Sequence, residues 1–384
     1  IIMVKYMGER RLLTIPGPTI FDPVVLRTLS IGHLSHTSEE FIRIFHDTLL
    51  NLKKLLFVDE EYKTIILAGS GTLAMEAGTS NFIQRDDQIL IISNGVFGDR
   101  MAELLSRYPV KYDILRAKEP GEAVDNQIVK EKLNEKKYKM VIVTHVDTST
   151  GVRHNIRELA EITRDYDTIL VVDGVCSVAG EEIKMKKWGI DIVLTGCQKA
   201  LGVPAGLGIL WLSPKAIKIL NKTNTKYAPY YMDLKKWIKV MDAYENLKVA
   251  YFATPAINLI IGLNKSLQLI FEEGIDERFK RHKTLSHAFR RGIYGIGLKT
   301  LAKNEEIAAS TVTGIYLPDG IELSKFKAEM LKRNIVIAGG LYPTIKNKYF
   351  RVGHMGPVNA NDIISVIAGI ERTLKTLNYP IKLG

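Results

Sequence analysis

Hydrophobic and polar positions alternate along the chain in blocks that predict strands and helices in turn. From Lys63 onward, short aliphatic and β-branched runs are each followed by a polar or glycine turn and then by helical periodicity. Strands that are apolar throughout are buried on both faces, and the intervening chain is long enough for crossover helices. The pattern therefore predicts an α/β fold with a mostly parallel, doubly wound sheet. Its predicted strands are 64–68, 89–93, 110–115, 140–145, 168–173 and 190–195.

The pattern changes after the last of these strands. Residues 206–212 form another apolar run that follows too soon for a crossover helix, so they predict an antiparallel neighbour. The stretch 221–253, rich in Lys, Tyr and Trp, is interpreted as irregular. The remaining predicted elements are helices at 257–273, 276–292 and 361–377 and strands at 311–317, 335–337 and 349–352. We predict an N-terminal arm over 1–20, a large α/β domain over 21–274 and a smaller C-terminal α+β domain over 275–384.

Composition fits a globular chain and adds a positive charge. The 384 residues are 46% hydrophobic and 25% charged, which excludes disordered and fibrous classes and allows two domains. The formal net charge of +11 favours anionic partners. Lysines are interleaved with Glu or apolar residues, as in 130–139, which is typical of solvated helix faces, so no nucleic-acid partner is predicted.

Cysteine usage and the termini bear on the compartment. Two cysteines, Cys176 and Cys197, cannot form a disulfide framework, so we predict a reducing setting with both thiols buried. The first residues lack the apolar core of a secretory signal, and no window of about 18 uninterrupted apolar residues occurs. We therefore predict a cytoplasmic protein without a membrane partner.

A glycine-rich turn, Ala68-Gly69-Ser70-Gly71-Thr72, follows the first predicted strand and opens a helix. Backbone N–H groups at a helix start, reinforced by two hydroxyls, bind phosphate well. With Ala74 the turn also fits G-x-G-x-x-A, so a nicotinamide dehydrogenase is one alternative. That alternative needs an acidic residue at the end of the next strand, and 91–95 contain none. The other alternative is a plain strand-to-helix turn with a Ser or Thr cap.

Two later strands deliver an acid and an amine to the same edge of the predicted sheet. Asp173 ends one strand, and a carboxylate buried there needs a cationic or strongly hydrogen-bonding partner. Lys199 follows the next strand. Taken singly, Asp173 is equally typical of a helix cap and Lys199 of a solvated surface. Together with the turn, they supply the phosphate anchor, the ring-nitrogen partner and the Schiff-base lysine that pyridoxal phosphate requires.

Five segments, in chain order, resemble motifs of the class V aminotransferases. They are Ser70-Gly71-Thr72, Asn94-Gly95-Val96-Phe97-Gly98, Thr144-His145-Val146-Asp147-Thr148-Ser149-Thr150-Gly151, Val172-Asp173 and Gln198-Lys199-Ala200. Within that class the chain is most similar to the serine–pyruvate and alanine–glyoxylate aminotransferases. The similarity runs from Pro16-Gly17-Pro18-Thr19 through to Arg351-Val352-Gly353, nearly the whole chain. The resemblance implies the type I fold of pyridoxal-phosphate enzymes.

The resemblance also implies a role for each matched residue. Lys199 would form the Schiff base and Asp173 would pair with the ring nitrogen. The residues implied on the phosphate side are Ser70, Gly71, Thr72 and Gln198 of the chain itself, and Tyr251 and Thr254 of the neighbouring subunit in a homodimer. The residues implied around the ring and substrate are Phe97, where the family usually has a stacked Trp, Thr148, and Arg351 for the substrate carboxylate.

Three residues, at two places in the chain, depart from the family pattern. Val146-Asp147 replaces a frequent Gly-Glu, and Cys197 replaces a frequent Ser. Both departures bear on substrate choice more than on reaction type. Considered without the family, Arg351 is typical of a surface strand end and Phe97 of an ordinary core aromatic.

The implied reaction is a ping-pong transfer of the amino group of a small L-amino acid, serine or alanine, to a small 2-oxo acid, pyruvate or glyoxylate. Spacing does not choose among these substrates. The alternatives are a 2-aminoethylphosphonate transaminase or a lyase of the same class, a nicotinamide dehydrogenase, and a non-catalytic binding protein. A cysteine desulfurase is disfavoured because neither cysteine lies on the late loop that carries its nucleophile. His33 and His36 have no further ligands at a recognisable spacing, so no metal is expected.

Overall fold

The structure, a computed structural model, describes residues 11–30, 32, 34–224 and 226–381. The strands are β1 Leu12–Leu13, β2 Lys63–Ala68, β3 Gln88–Ser93, β4 Lys111–Arg116, β5 Met140–Thr144, β6 Val146–Asp147, β7 Val152–Arg153, β8 Ile169–Asp173, β9 Ile192–Gly196, β10 Leu207–Leu212, β11 Val312–Tyr316, β12 Ile335–Val336, β13 Ala338–Gly339 and β14 Tyr349–Gly353. The α-helices are α1 Pro23–Thr28, α2 Glu39–Leu55, α3 Gly71–Ser80, α4 Val96–Leu105, α5 Asn126–Glu135, α6 Ile156–Thr163, α7 Met185–Trp188, α8 Pro214–Lys222, α9 Leu234–Glu245, α10 Ile257–Glu273, α11 Ile275–Gly295, α12 Leu323–Lys332 and α13 Ala360–Thr376.

Within the described ranges, the central sheet has seven strands in the order β2-β10-β9-β8-β5-β3-β4. Strand β10 runs antiparallel to both of its neighbours, and the other pairs are parallel. The predicted mostly parallel α/β sheet and its antiparallel seventh strand are therefore confirmed. The register pairs Thr144 with Asp173 and Asp173 with Leu194, so the ends of three strands meet at one edge.

The central strands are buried because their side chains are almost all apolar. All five residues of β8 are buried, so the strand carries the Asp173 carboxylate into the protein interior. Helix α3 packs against β9 and β10, and α6 packs against β8. The edge where Asp173 ends its strand is therefore backed by a rigid apolar core, which fixes polar groups in place there.

A second hydrophobic cluster is built from the C-terminal part of the chain. It lies around the antiparallel sheet β11-β14-β13 and contains buried aromatic residues from two helices and a strand, among them Phe289, Phe326 and Phe350. Strand β1 pairs in parallel with β12, and Leu12 packs against this second cluster. Gly274 lies between α10 and α11 with a positive φ of 86°, which suits glycine. The division of the chain into domains at this glycine stays a prediction.

The interpretation of 221–253 as irregular is wrong. This stretch contains a 3₁₀ turn at Tyr230–Met232 and the twelve-residue helix α9. Its buried residues recur at spacings of three and four, which is the apolar stripe of an amphipathic helix. They are Leu234, Trp237, Val240, Met241 and Tyr244. Lysines alternate with this stripe and obscure its helical periodicity in the sequence. Among the helices of the described part, none has the length and apolar character that crossing a membrane requires.

Candidate active site

Lys199 lies just beyond β9, and its amine is held by two oxygen atoms. Its Nζ donates to the carbonyl oxygen of Pro16 at 2.6 Å and to Oγ1 of Thr148 at 2.9 Å. The side chain is buried, and this burial lowers the pKa of its amine. A lysine amine with a lowered pKa is more often neutral, which is the form that acts as a nucleophile or a base.

The N-terminal segment crosses directly over this lysine. A Cβ on Gly17 would lie 3.0 Å from Cε of Lys199, and the positive φ of 118° also favours glycine at this position. Thr19 donates its N–H to the carbonyl of Gln198 and its hydroxyl to the carbonyl of Lys199, both at 3.1 Å. The sequence pointed to the Pro-Gly-Pro segment as family-like, but gave no signal that the Pro16 carbonyl would contact the lysine.

Asp173 is bound by two neutral donors. The backbone N–H of Val175 donates to Oδ1 at 2.9 Å, and the Thr144 hydroxyl donates to Oδ2 at 3.4 Å. Burial raises the pKa of Asp173 from its ordinary value of 3.8 to about 6. The hydrogen-bonding partners that the sequence required of a buried carboxylate are thus present. A carboxylate in this setting is suited to binding a protonated nitrogen, which would relieve the cost of its burial.

The glycine turn presents polar groups that lack protein partners. Ser70 is the N-cap of α3, yet its hydroxyl makes no capping bond, and Thr72 is exposed in the first turn. Oε1 of Gln198 is buried without a hydrogen-bond partner in the described structure. A Cβ on Gly196 would lie 2.6 Å from this Oε1 and 3.0 Å from the N of Gly71, so the turn and Gln198 are neighbours. This arrangement fits a phosphate group, since a helix N-terminus and unsatisfied polar groups converge.

Phe97 lies in the first turn of α4, close to the lysine. Its ring centroid is 5.9 Å from Nζ of Lys199 and 4.5 Å from the guanidinium carbon of Arg100. Phe97 is only partly buried, so it is not the ordinary core aromatic that its sequence context alone suggests. Arg100 went unnoticed in the sequence, although its spacing of three residues from Phe97 on one helix is a usable signal.

Thr148 and Arg351 lie beside the lysine. The Thr148 carbonyl accepts from Nη1 of Arg351 at 3.0 Å, while its hydroxyl accepts from Lys199. Nε of Arg351 donates to the carbonyl of Gly339 at 2.9 Å. Arg351 is buried in β14, which lowers the pKa of its guanidinium and excludes the interpretation as a surface strand end. A buried guanidinium bound only by neutral carbonyls is suited to a carboxylate.

Tyr349 joins this region to an exposed loop and was missed by sequence reasoning. Its hydroxyl donates to the carbonyl of Ser149 at 2.7 Å and accepts the N–H groups of Leu341 at 2.8 Å and of Tyr342 at 2.9 Å. Nothing in the local sequence distinguishes this tyrosine from a core residue, because its partners are distant along the chain.

Tyr251 and Thr254 lie elsewhere on the molecule. Tyr251 is 66% exposed, and its hydroxyl is 3.4 Å from that of Thr254. The Tyr251 ring lies 5.7 Å from the ring of His36, at the surface of the chain. His33, the other member of the histidine pair weighed above, lies outside the described residues. Within the described ranges, no group of three or more His, Cys, Asp or Glu side chains is arranged to hold a metal.

Both cysteines are buried, as expected from composition. Burial raises the pKa of the Cys197 thiol to about 11, and its Sγ donates to the carbonyl of Pro204 at 3.0 Å. Cys197 therefore stays a protonated thiol at neutral pH.

Comparison with known proteins gives the family. The profile of the family described as aminotransferase class-V matches residues 27–354. The chain is a class V aminotransferase. The alanine–glyoxylate aminotransferase 1 of Saccharomyces cerevisiae is 36% identical over 91% of this chain and 93% of its own length. The serine–glyoxylate aminotransferase of Arabidopsis thaliana is 31% identical over 99% and 94%. The crystal structure of an alanine–glyoxylate aminotransferase from Nostoc sp. superposes with a TM-score of 0.90 at 29% identity, covering 95% and 96% of the two chains.

This class V aminotransferase is a pyridoxal-phosphate-dependent transaminase, so the family, the type I fold and the cofactor predicted from the motifs are confirmed. The nicotinamide dehydrogenase and the non-catalytic binding protein are accordingly wrong. The structure itself agrees with the cofactor, since the partnerless Gln198 and Ser70 groups, the buried Asp173 and the amine of Lys199 fit its phosphate, ring nitrogen and aldehyde.

Proposed function

We propose that this aminotransferase transfers the amino group of a small L-amino acid, serine or alanine, to a small 2-oxo acid, pyruvate or glyoxylate. The main support for this proposal is that one residue, Thr148, accepts hydrogen bonds from both Lys199 and Arg351. Its hydroxyl accepts from Lys199 and its carbonyl accepts from Arg351. A carboxylate bound at Arg351 would therefore lie beside the amine. The relatives named for alanine, serine and glyoxylate support these substrates. Such small polar acids suit the cytoplasmic location that we predict.

The segment over the lysine supports a small substrate side chain. Pro16 contacts the amine of Lys199, and Gly17 packs so closely on its side chain that a single Cβ there would crowd it. This leaves little room above the lysine for a large group on the substrate Cα. Alanine and serine, with one heavy atom or two beyond Cα, meet this restriction.

We assign the residues that would hold pyridoxal phosphate as follows. Asp173 would pair with the ring nitrogen, Phe97 would pack on the ring and Thr148 would lie at its edge. The phosphate would be held by Ser70, Gly71, Thr72 and Gln198. When bound, the cofactor supplies an electron sink for the pair of electrons left when the substrate Cα–H bond breaks.

The chain's own residues would direct this chemistry. Arg351 would grip the substrate carboxylate through paired charged hydrogen bonds and so orient the Cα–H bond toward the lysine. Nζ of Lys199, with its pKa lowered by burial, would remove the Cα proton and later return a proton to Cα in the reverse direction. The ionised Asp173 carboxylate would favour the protonated state of the nitrogen that it faces.

Substrate assays test this proposal. With glyoxylate as acceptor, we expect kcat/KM for L-alanine or L-serine to exceed that for L-leucine and L-phenylalanine by at least about 10-fold, because each excess methylene must be accommodated beneath Pro16 and Gly17. The measurement is the 2-oxo acid formed, pyruvate or hydroxypyruvate, identified by mass spectrometry. Faster turnover of 2-aminoethylphosphonate than of L-alanine and L-serine would contradict the proposal, because this compound has no carboxylate for Arg351.

We also propose that the enzyme is a homodimer whose sites are completed by Tyr251 and Thr254 of the neighbouring subunit. Tyr251 is one of several large apolar side chains that are exposed in this part of the sequence, together with Tyr230, which is 73% exposed, Leu247 and Val249. The Tyr230 ring packs against the ring of Phe252, the neighbour of Tyr251, with centroids 5.3 Å apart. Exposed apolar side chains that lie together are typical of a protein interface.

The dimer predicts a specific effect of Tyr251→Phe. Loss of one hydrogen bond to a charged phosphate should raise the dissociation constant of pyridoxal phosphate by about 10-fold while the dimer persists. Equilibrium dialysis of the apoenzyme measures the constant, and sedimentation velocity measures the mass. Tyr230→Phe, at another exposed tyrosine of the same region, is the matched control and should leave cofactor affinity unchanged. A fully active monomer would rule out a shared site.

A further inference from the structure

Helix α4, which carries Phe97, is capped by residues about fifty positions further along the chain. The residue before the helix is Gly95, which has no side chain to cap it. Instead, the N–H of Val96 donates to Oγ of Ser149 at 3.0 Å. The N–H groups of Phe97 and Gly98 donate to Oδ2 of Asp147 at 2.9 and 3.3 Å. The first turn of α4 is thus fixed to strand β6 and the turn that follows it.

The Asp147 carboxylate is fully committed to this cap. It is completely buried, and its Oδ1 accepts both the N–H of Ser149, at 2.9 Å, and the Ser149 hydroxyl. Gly95 is what allows the approach, since a Cβ at that position would lie 2.5 Å from Cγ of Asp147. A buried carboxylate at a helix N-terminus is stabilised by the amides and by the helix dipole. No oxygen of Asp147 is left over to contact a substrate.

The same short turn also holds the residues around the lysine. Thr148, the next residue, accepts from Lys199 and from Arg351, and the carbonyl of Ser149 accepts from Tyr349. The position of Phe97 is therefore fixed relative to the amine and to the guanidinium through a single tripeptide. A change at Asp147 would release Phe97 without removing any group that touches the lysine.

We infer that Asp147 is a positioning residue, which holds the Phe97 ring in place for the cofactor through the backbone of α4. This inference rests on the cofactor placement proposed above. Aromatic rings attract one another only in offset-stacked or edge-to-face geometries, so the contribution of Phe97 to cofactor binding depends on where its ring is held. Asp147 acts on the cofactor only through Phe97, and its effect disappears when that ring is removed.

A double-mutant cycle on cofactor binding tests this coupling. The dissociation constant of pyridoxal phosphate is measured on the apoenzyme by equilibrium dialysis for the parent, Asp147→Asn, Phe97→Ala and the double variant. We expect each single substitution to raise the constant by about 10-fold, and the double variant to bind no more than about twofold more weakly than Phe97→Ala alone. Asp147→Glu, which restores the carboxylate, should recover part of the loss.

Asp99→Asn is the matched control. Asp99 lies in the first turn of the same helix, but it pairs with Arg116 at 2.9 Å and not with the amides of Phe97 and Gly98. The Asp99→Asn substitution removes a carboxylate close to the helix turn that Asp147 caps, and it should change the dissociation constant by less than about twofold. Should Asp147→Asn fail to fold, Ser149→Ala removes the other half of the cap and should show the same dependence on Phe97.

The possible outcomes distinguish the positioning role of Asp147 from the proposed contact between Phe97 and the cofactor ring. Independent effects, which multiply in the double variant, would show that Asp147 acts on the cofactor by another route and would overturn the inference alone. An unchanged constant for Phe97→Ala would show that this ring does not contact the cofactor, and then both the placement and the inference fail. A visible circular dichroism band that changes in Asp147→Asn and Phe97→Ala alike supports the positioning role.

Discussion

Lys199→Ala is expected to lower kcat by at least about 10³-fold, because the variant loses both the amine that anchors the cofactor and the base that moves the Cα proton. The loss arises at one atom, Nζ, which is buried between Pro16 and Thr148. Steady-state transamination measures the rate. Borohydride reduction followed by peptide mass spectrometry shows whether the cofactor becomes fixed to residue 199.

Two further variants serve as controls for Lys199→Ala. Lys199→Arg keeps a long basic side chain but not the primary amine, and it should be as inactive as the alanine variant. Lys186→Ala removes a surface lysine that pairs with Asp59 and should keep the parental rate. If Lys199→Ala turned over amino acids at the parental rate and were labelled by borohydride as before, the role assigned to Lys199 would be wrong.

Asp173→Asn is expected to have opposite effects on activity and on stability. Without the carboxylate, the ring nitrogen loses the partner that keeps it protonated, and kcat should fall by about 10²- to 10³-fold. The pKa of Asp173 is raised by burial from 3.8 to about 6, so the folded apoenzyme holds this proton more tightly than the unfolded chain. The parent therefore loses stability as the pH rises through this window, and the uncharged asparagine does not.

The stability effect is measured by urea unfolding of the two apoproteins. At pH 8 the asparagine variant should be more stable than the parent by on the order of 1–3 kcal/mol, and the difference should shrink toward pH 4. Asp191→Asn is the matched control: this buried aspartate accepts from Lys215 and from the backbone of Leu170, so its loss should destabilise. An asparagine at position 173 that is less stable than the parent at pH 8 would contradict the expected cost of burying the charge.

The features that could be predicted from the sequence are those that leave a local pattern of apolar and polar residues. A strand buried on both faces must be apolar along its whole length, so β8 and β9 are visible as runs, and polar residues that interrupt or follow such runs stand out. This is why Asp173, Lys199 and the turn at Ser70 were found without coordinates. Helix α9 was missed because its apolar stripe is diluted by lysines, and α1 and α2 were not predicted at all.

The contacts that sequence reasoning did not reach are long-range. Pro16 touches Lys199, Asp147 caps α4 and Tyr349 bonds Ser149, each across at least 50 residues of chain. The spacing of residues along the sequence does not indicate such contacts, because they depend on how the central sheet packs against the C-terminal cluster. The resemblance to a family identified the segments involved, but not which atoms meet.

The N-terminal segment spans the two hydrophobic clusters within a few residues. At one end, Thr14 exchanges backbone hydrogen bonds with Val336 and Gly353, next to the C-terminal cluster. At the other end, Thr19 is bonded to the carbonyls of Gln198 and Lys199. The residues between them make a tether too short to absorb a large displacement. A rotation of the C-terminal sheet relative to the central sheet would therefore displace the backbone at Pro16, which contacts the amine of Lys199. Movement between the two hydrophobic clusters is in this way coupled to the position of the reactive amine.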